Sequence, residues 1–331
     1  WALVANAVAS ALRLGLALWG NLPQLRPRLD PQLAKRLMNY GFWIMLAGLM
    51  GAINETVGRN LLPRLWPDGQ VYAGQPRSGM EMNGLYAAAY KLAVVIQLGL
   101  QAFRYAAEPY FFKQKEGPAA RKAFARLMHY FMLLCLALTV VVGAFAPDFV
   151  AFTWFGLLPQ GLIPPAYRVG LNALPLLLFA FTAFGAYIQL SIWFKRSGQV
   201  RYGLLFAAVG AGVTLGVNVL LIPVFGFLGS ALATLCCYTV MAMLAYFTGQ
   251  ALAPIPYKWG ALLVYAVAAA VTLAANEALH DVPLEALWRL LLVGGYLGAV
   301  AGLERRRLRL AQTTTSPSAT APKAEAPESA D

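Results

Sequence analysis

Apolar residues run in blocks of about 20 along nearly the whole chain, separated by short polar stretches. Each block has the length an α-helix needs to cross a hydrocarbon core of ~30 Å. The pattern predicts nine spans, at about 1–20, 39–61, 83–111, 124–146, 170–194, 202–222, 227–249, 259–278 and 287–303. The expected fold is all-α, a polytopic transmembrane helical bundle. Pro175 and Pro223 fall near span ends, where a missing backbone donor is least harmful. Residues 62–82 carry Pro63, Pro67, Gly69, Gly74, Pro76 and Gly79 and read as an irregular connection. Residues 146–169 hold Phe149, Phe152, Trp154 and Phe155, which suits an aromatic segment at the membrane interface. After Leu310 the chain turns to Ala, Pro, Thr, Ser and Glu with no apolar period, the composition of a disordered extension.

Composition excludes a soluble fold: 60% of the 331 residues are hydrophobic and only 12% charged, against about a quarter charged in soluble domains. The net charge of +12 raises the question of nucleic acid. Its runs, Arg305-Arg306-Arg307 and Lys195-Arg196, are small and abut apolar blocks, so they read as juxtamembrane charge and no nucleic-acid partner is expected. Alternate connections differ sharply in Lys and Arg. One set holds Arg26, Arg28, Lys35, Arg36, Lys113, Lys115, Arg121, Lys122, Arg126, Lys195, Arg196, Arg201, Lys258, Arg305, Arg306, Arg307 and Arg309. The other holds Arg64, Arg77, Arg168 and Arg289. The richer set is expected to be cytoplasmic, with the C-terminus on that side and Trp1 outside. With no initiator Met and no signal peptide at Trp1, the expectation is the C-terminal part of a longer protein. A mature chain after signal cleavage is the alternative.

Metal and nucleophile chemistry have no visible constellation. Cys135, Cys236 and Cys237 sit inside apolar blocks without metal-ligand spacing, and His129 and His280 stand in unrelated places. No cofactor is expected.

Two spans carry nearly all the intramembrane charge. In the second, Glu55 and Arg59 are four apart and share a helix face. In the third, Gln97, Gln101, Arg104 and Glu108 follow i, i+4, i+7, i+11, one continuous stripe. Lys91 lies off that stripe, at a depth similar to Glu55, so Glu55–Lys91 and Glu55–Arg59 pairs are both open. Charge at bilayer depth is costly and normally faces a bundle interior or a wet cavity. Arg59, Lys91, Gln97, Gln101 and Arg104 are candidates to bind an anionic head group such as pyrophosphate. Glu55 and Glu108 are candidates for pairing or ion coupling. The alternative is that these groups satisfy one another and lock helices together, with Arg104 and Glu108 snorkelling to the interface. Asn172, Gln189, Ser191, Asn218 and Thr234 are expected to make interhelical hydrogen bonds. The Gly226–Ala233 region and Gly210, Gly212 and Gly216 are expected at close helix contacts.

Several strings resemble the polysaccharide flippases of the multidrug/oligosaccharidyl-lipid/polysaccharide exporter superfamily over about residues 30–260. They are Ile53-Asn-Glu-Thr56, Ala87-Ala-Ala-Tyr-Lys-Leu-Ala93, Gln101-Ala-Phe-Arg-Tyr-Ala-Ala-Glu-Pro-Tyr-Phe-Phe112, Leu190-Ser-Ile-Trp-Phe-Lys195 and Ile222-Pro-Val-Phe-Gly-Phe-Leu-Gly-Ser-Ala-Leu-Ala-Thr234. The resemblance implies up to 14 helices in two halves around a central cavity. The nine spans then stand as helices six to fourteen. On that scheme 1–20 is a late helix of the first half, 21–38 a cytoplasmic linker, 39–303 mainly the second-half bundle and 304–331 a disordered cytoplasmic tail.

The resemblance also implies a function: moving an undecaprenyl-pyrophosphate-linked oligosaccharide across the bacterial plasma membrane by alternating access, without enzymatic chemistry. The partners it implies are that lipid-linked oligosaccharide, membrane lipids, and a monovalent cation or proton if transport is coupled. In the family an acid often precedes the arginine of the second span. Here that place is Gly58, which leaves Glu55 as the acid. A multidrug or cation antiporter of the same superfamily is the second reading, mildly disfavoured by the basic surplus. A membrane glycosyltransferase or polymerase is the third, and the scattered Asp68, Glu81 and Asp148 make no catalytic motif for it.

Overall fold

The computed structural model describes residues 2–21, 30–113, 117–152, 161–252, 254–279 and 282–315. It contains ten α-helices: α1 (Ala2–Asn21), α2 (Pro31–Leu65), α3 (Gly79–Lys113), α4 (Pro118–Ala151), α5 (Leu174–Leu190), α6 (Ile192–Arg196), α7 (Arg201–Phe225), α8 (Phe227–Leu252), α9 (Trp259–Ala278) and α10 (Glu285–Thr315). A 3₁₀ segment, Pro165–Ala173, leads into α5, and α6 follows it, so Pro165–Arg196 crosses as one span. Each expected span is helical. Among the described residues eight helices are long and apolar enough to cross a membrane, and the fold is an all-α polytopic bundle. The exception is α1. Its apolar stretch, Val4–Trp19, rises only about 24 Å at 1.5 Å per residue.

Helix ends follow local chemistry more closely than hydropathy. Asp30 Oδ1 accepts from the amides of Gln32 (2.9 Å) and Leu33 (3.3 Å), and Pro31 takes the first helical position, where its missing donor costs nothing. Residues 31–38, expected as linker, are therefore helix; residues 22–29 lie outside the described ones. At the other end α10 runs on to Thr315, so 304–315 is helical rather than disordered, and the rest of the tail lies outside the described residues. Pro63, Pro109, Pro147 and Pro223 all fall near the C-terminal ends of their helices.

The connection from α2 to α3 is ordered, against the expectation of irregularity. Strands β1 (Val71–Tyr72) and β2 (Gln75–Pro76) pair antiparallel, with Val71 opposite Pro76. Ala73 and Gly74, at φ 51° and 78°, make the turn, the left-handed pair that a two-residue hairpin requires. Tyr72 packs edge-on to Phe227 at 5.1 Å and to Trp66 at 6.3 Å, and Trp66 Nε1 donates to the Arg77 carbonyl at 3.1 Å. Ser78 and Glu81 then form a reciprocal cap on α3, with Ser78 N–H to Glu81 Oε2 at 2.9 Å and Glu81 N–H to Ser78 Oγ at 3.3 Å. Of the aromatics expected at the next interface, Phe149 and Phe152 are exposed; Trp154 and Phe155 lie outside the described residues.

Packing runs α2 on α7, α7 on α8, α8 on α5, and α5 on α3 and α4, with α9 on α4 and α10 on both α9 and α4. The main core gathers Leu85, Ile96, Leu177, Phe181, Phe206 and Phe227. A second cluster, around Val140, Tyr265, Leu273 and Val293, joins α4, α9 and α10. The α7–α8 corner is the close contact expected of its small residues. Gly226 turns at φ 56°, and a Cβ on Gly229 would lie 2.6 Å from the Leu221 backbone. Gly210 also sits tight, against Met241, whereas Gly212 and Gly216 have nothing near them and serve no contact. Every side chain described along α1 is exposed.

Candidate functional site

The helix register brings some of the charged candidates together and separates others. Glu55 and Arg59 lie on the half-buried flank of α2, beside its buried stripe of Asn54, Gly58 and Leu62. Gln97 of α3 donates from Nε2 to Glu55 Oε1 at 3.2 Å. Lys91 sits about 120° around α3 from Gln97, at 100° per residue. It is exposed and forms no ion pair with Glu55 among the described residues. Arg59 instead lies over the ring of Tyr90, its guanidinium carbon 4.0 Å from the centroid. A cation stacked on an aromatic face is held by the ring quadrupole.

Tyr90 continues into a buried aromatic file. Its ring lies 5.8 Å from Tyr86 and 5.4 Å from Phe181, and Tyr86 hydroxyl bonds Thr234 at 3.2 Å. Glu55, Arg59, Gln97 and Tyr90 thus form one constellation at the α2–α3 junction. The rest of the stripe runs down the border of the exposed face of α3. Gln101 is exposed and Arg104 half-buried. The side chain of Glu108 lies outside the described residues.

Gly58, the residue before Arg59, is buried and faces α7 and α8. A Cβ on Gly58 would meet Asn218 Oδ1 at 3.4 Å and Ser230 at 3.5 Å. Those two are bonded to each other, Ser230 Oγ donating to Asn218 Oδ1 at 2.9 Å. Asn218 and Thr234 therefore make the expected interhelical bonds. Ser191, between α5 and α6, bonds back to the Ile188 carbonyl of α5 at 2.6 Å, and Asn172 is exposed.

A second polar cluster has no counterpart in the sequence reading. His129 of α4, Tyr265 of α9 and Glu304 of α10 converge. His129 Nε2 stands 3.1 Å from Glu304 Oε2, and Tyr265 hydroxyl donates to Glu304 Oε1 at 2.6 Å. Arg307 adds a third donor at 3.1 Å and lies over the Tyr265 ring. His129 Nδ1 is buried without a partner. Glu304 and Tyr265 are 39 positions apart, and Glu304 borders the polar tail, so no spacing rule would join them. Toward the other end of the same helix pair, buried Arg289 bridges Asp148 of α4 and Glu285 of α10. Of the three scattered acids, Asp148 is thus an ion-pair partner and Glu81 a cap, while Asp68 Oδ1 accepts from the Gly79 amide at 3.5 Å.

No group of three His, Cys, Asp or Glu side chains able to hold a metal occurs among the described residues. Fold and site together define a polytopic helical membrane protein with a charged, aromatic-backed strip on one pair of its spans. No family model, curated protein or solved structure matches the chain.

Proposed function

We propose that this protein translocates lipid-linked oligosaccharides, carried on undecaprenyl pyrophosphate, across the bacterial plasma membrane for surface polysaccharide synthesis. The observation that carries the reading is the Glu55–Gln97 and Arg59–Tyr90 constellation, half-buried between two helices long and apolar enough to cross a membrane and flanked by exposed Lys91 and Gln101. Intramembrane charges of this kind mark substrate or ion pathways. The motif resemblance points to the same activity.

In this reading Arg59 and Lys91 attract the pyrophosphate, and Arg104 extends the cationic track along α3. Arginine suits the bidentate geometry of phosphate. Gln97 and Gln101 hydrogen-bond sugar or phosphate oxygens. Glu55 balances Arg59 between cargoes and is the acid available to a proton or monovalent cation, because Gly58 supplies none. Transport proceeds by rocking of this wall against an opposing one, so that the strip faces each leaflet in turn. The Lys/Arg-rich end, with the C-terminus, is cytoplasmic. A cation antiporter would present acids and aromatics to its substrate, and the basic surplus of the strip disfavours it.

The test is complementation in cells lacking the chromosomal gene. Arg59→Gln together with Lys91→Gln should cut surface polysaccharide at least tenfold while the protein still reaches the membrane. Undiminished export would remove the strip from the mechanism.

A further inference from the structure

Two ion pairs fix how α4 and α10 lie together. His129 meets Glu304 at one end, and Asp148 meets Arg289 at the other. The numbers rise along one helix and fall along the other, so the two run antiparallel. At 100° per residue, Tyr130 and Arg305 each stand about 100° round from the contact residue before them. In antiparallel helices that same rotation carries both to one side of the pair. Arg307 turns the other way from Glu304, and its guanidinium lies over Tyr265 of α9 at 5.5 Å. The opposite side of the pair is therefore the one that α9 covers.

The uncovered side is a furrow with two kinds of wall. On α4, Arg126, Tyr130 and Leu134 follow one another at i+4 and are all exposed. On α10, Leu297, Ala301, Arg305 and Arg309 do the same. At 1.5 Å per residue, Arg126 stands about 4.5 Å beyond His129 and Arg309 about 7.5 Å beyond Glu304, toward the same Lys/Arg-rich end. The three arginines thus share one level at the mouth, and the apolar residues line the run behind them. Arg305 and Arg309 are like charges at i, i+4, which repel, so an anion between them relieves that cost. Glu304 is the acid that α4, α9 and α10 carry at this end. It is already engaged by His129, Tyr265 and Arg307.

We propose that the α4–α10 furrow binds an anionic phospholipid of the leaflet at the Lys/Arg-rich end. Arg126, Arg305 and Arg309 take the phosphate oxygens. The acyl chains lie along Tyr130, Leu134, Leu297 and Ala301. A mouth that is basic and a run that is apolar match such a lipid end to end, whereas a second copy of the chain would set arginine against arginine. The His129–Glu304 contact sets the register that levels the arginines. The furrow is separate from the α2–α3 strip and does not depend on the translocation reading.

Native mass spectrometry of the purified full chain in detergent tests this, with dioleoylphosphatidylglycerol set against dioleoylphosphatidylcholine, which has the same chains and no net charge. The anionic lipid should bind at least fivefold tighter. Arg126→Gln with Arg305→Gln and Arg309→Gln should weaken it at least tenfold and leave the zwitterionic lipid unchanged. Ala301→Trp, which fills the furrow and alters no charge, should weaken it at least fivefold. Arg36→Gln with Lys258→Gln and Arg306→Gln, an equal loss of exposed charge on other faces of this end, should leave it within twofold. No preference for the anionic lipid, unchanged binding in either furrow variant, or equal weakening by the control triple overturns the proposal. So does a dimer that the furrow triple splits, which assigns the face to a second copy. A fivefold gain on removing residues 316–331, which carry Glu325, Glu328 and Asp331, overturns it too and makes that segment the occupant.

Discussion

At the residue scale, backbone proximity decides what each position tolerates. Gly229 faces the Leu221 carbonyl across the α7–α8 corner, and a Cβ there would stand at 2.6 Å. Backbone cannot swing aside as a side chain does, so the corner must open. Gly229→Ala should destabilise the bundle by about 1–3 kcal/mol, the cost of overpacking a tight contact. Thermal unfolding in detergent measures this, and an unchanged midpoint would show that the corner is looser than described. Gly216→Ala, with nothing within 4 Å, is the matched control. The sequence flagged both glycines for the same reason, and only the neighbouring helix distinguishes them.

At the element scale, α4 and α10 are joined twice, by His129–Glu304 and by Asp148–Arg289. The second junction is asymmetric. The Arg289 side chain is only 5% exposed, whereas Asp148 is 62% and Glu285 32% exposed. Removing the arginine leaves an exposed Asp148 and a half-buried Glu285. Removing both acids leaves a buried cation uncompensated, which costs about 3–5 kcal/mol. Asp148→Asn with Glu285→Gln should therefore destabilise the protein more than Arg289→Met does. The reverse order, read from unfolding midpoints, would show that Arg289 reaches solvent. Sequence reading assigned Arg289 to a loop and Asp148 to no role, because the pair is 141 positions apart and hydropathy carries no information about partners.

At the scale of the whole molecule, the Lys/Arg asymmetry makes a statement about sidedness that can be checked directly. In intact cells, a cysteine placed at Gly69, by the β1–β2 hairpin, should react with a membrane-impermeant maleimide. One placed at Gly198, between α6 and α7, should react only after permeabilisation. The opposite result would invert the orientation. Background from native thiols is small, since Cys135 and Cys237 are buried and Cys236 half-buried.

Much of the fold was legible in the chain, because crossing a bilayer is a local demand. Each span needs its own run of apolar residues, so nine blocks became nine helical segments with only their ends misplaced. Those ends moved because Asp30 and Pro31 start α2 outside the hydrophobic run and α10 continues past its own run, where Glu304 meets His129 and Tyr265. The strip was legible in part. The i, i+4 spacing placed Glu55 with Arg59, but Gln97 and Lys91 were both within plausible reach of Glu55, and only the relative rotation of α2 and α3 selected Gln97. The cluster of His129, Tyr265 and Glu304 was invisible, because each residue is unremarkable until three helices meet. The sequence by itself determined which segments enter the membrane; the tertiary structure decided which polar groups meet there, since a hydrogen bond depends on the rotation and depth of two helices and neither is written in either one alone.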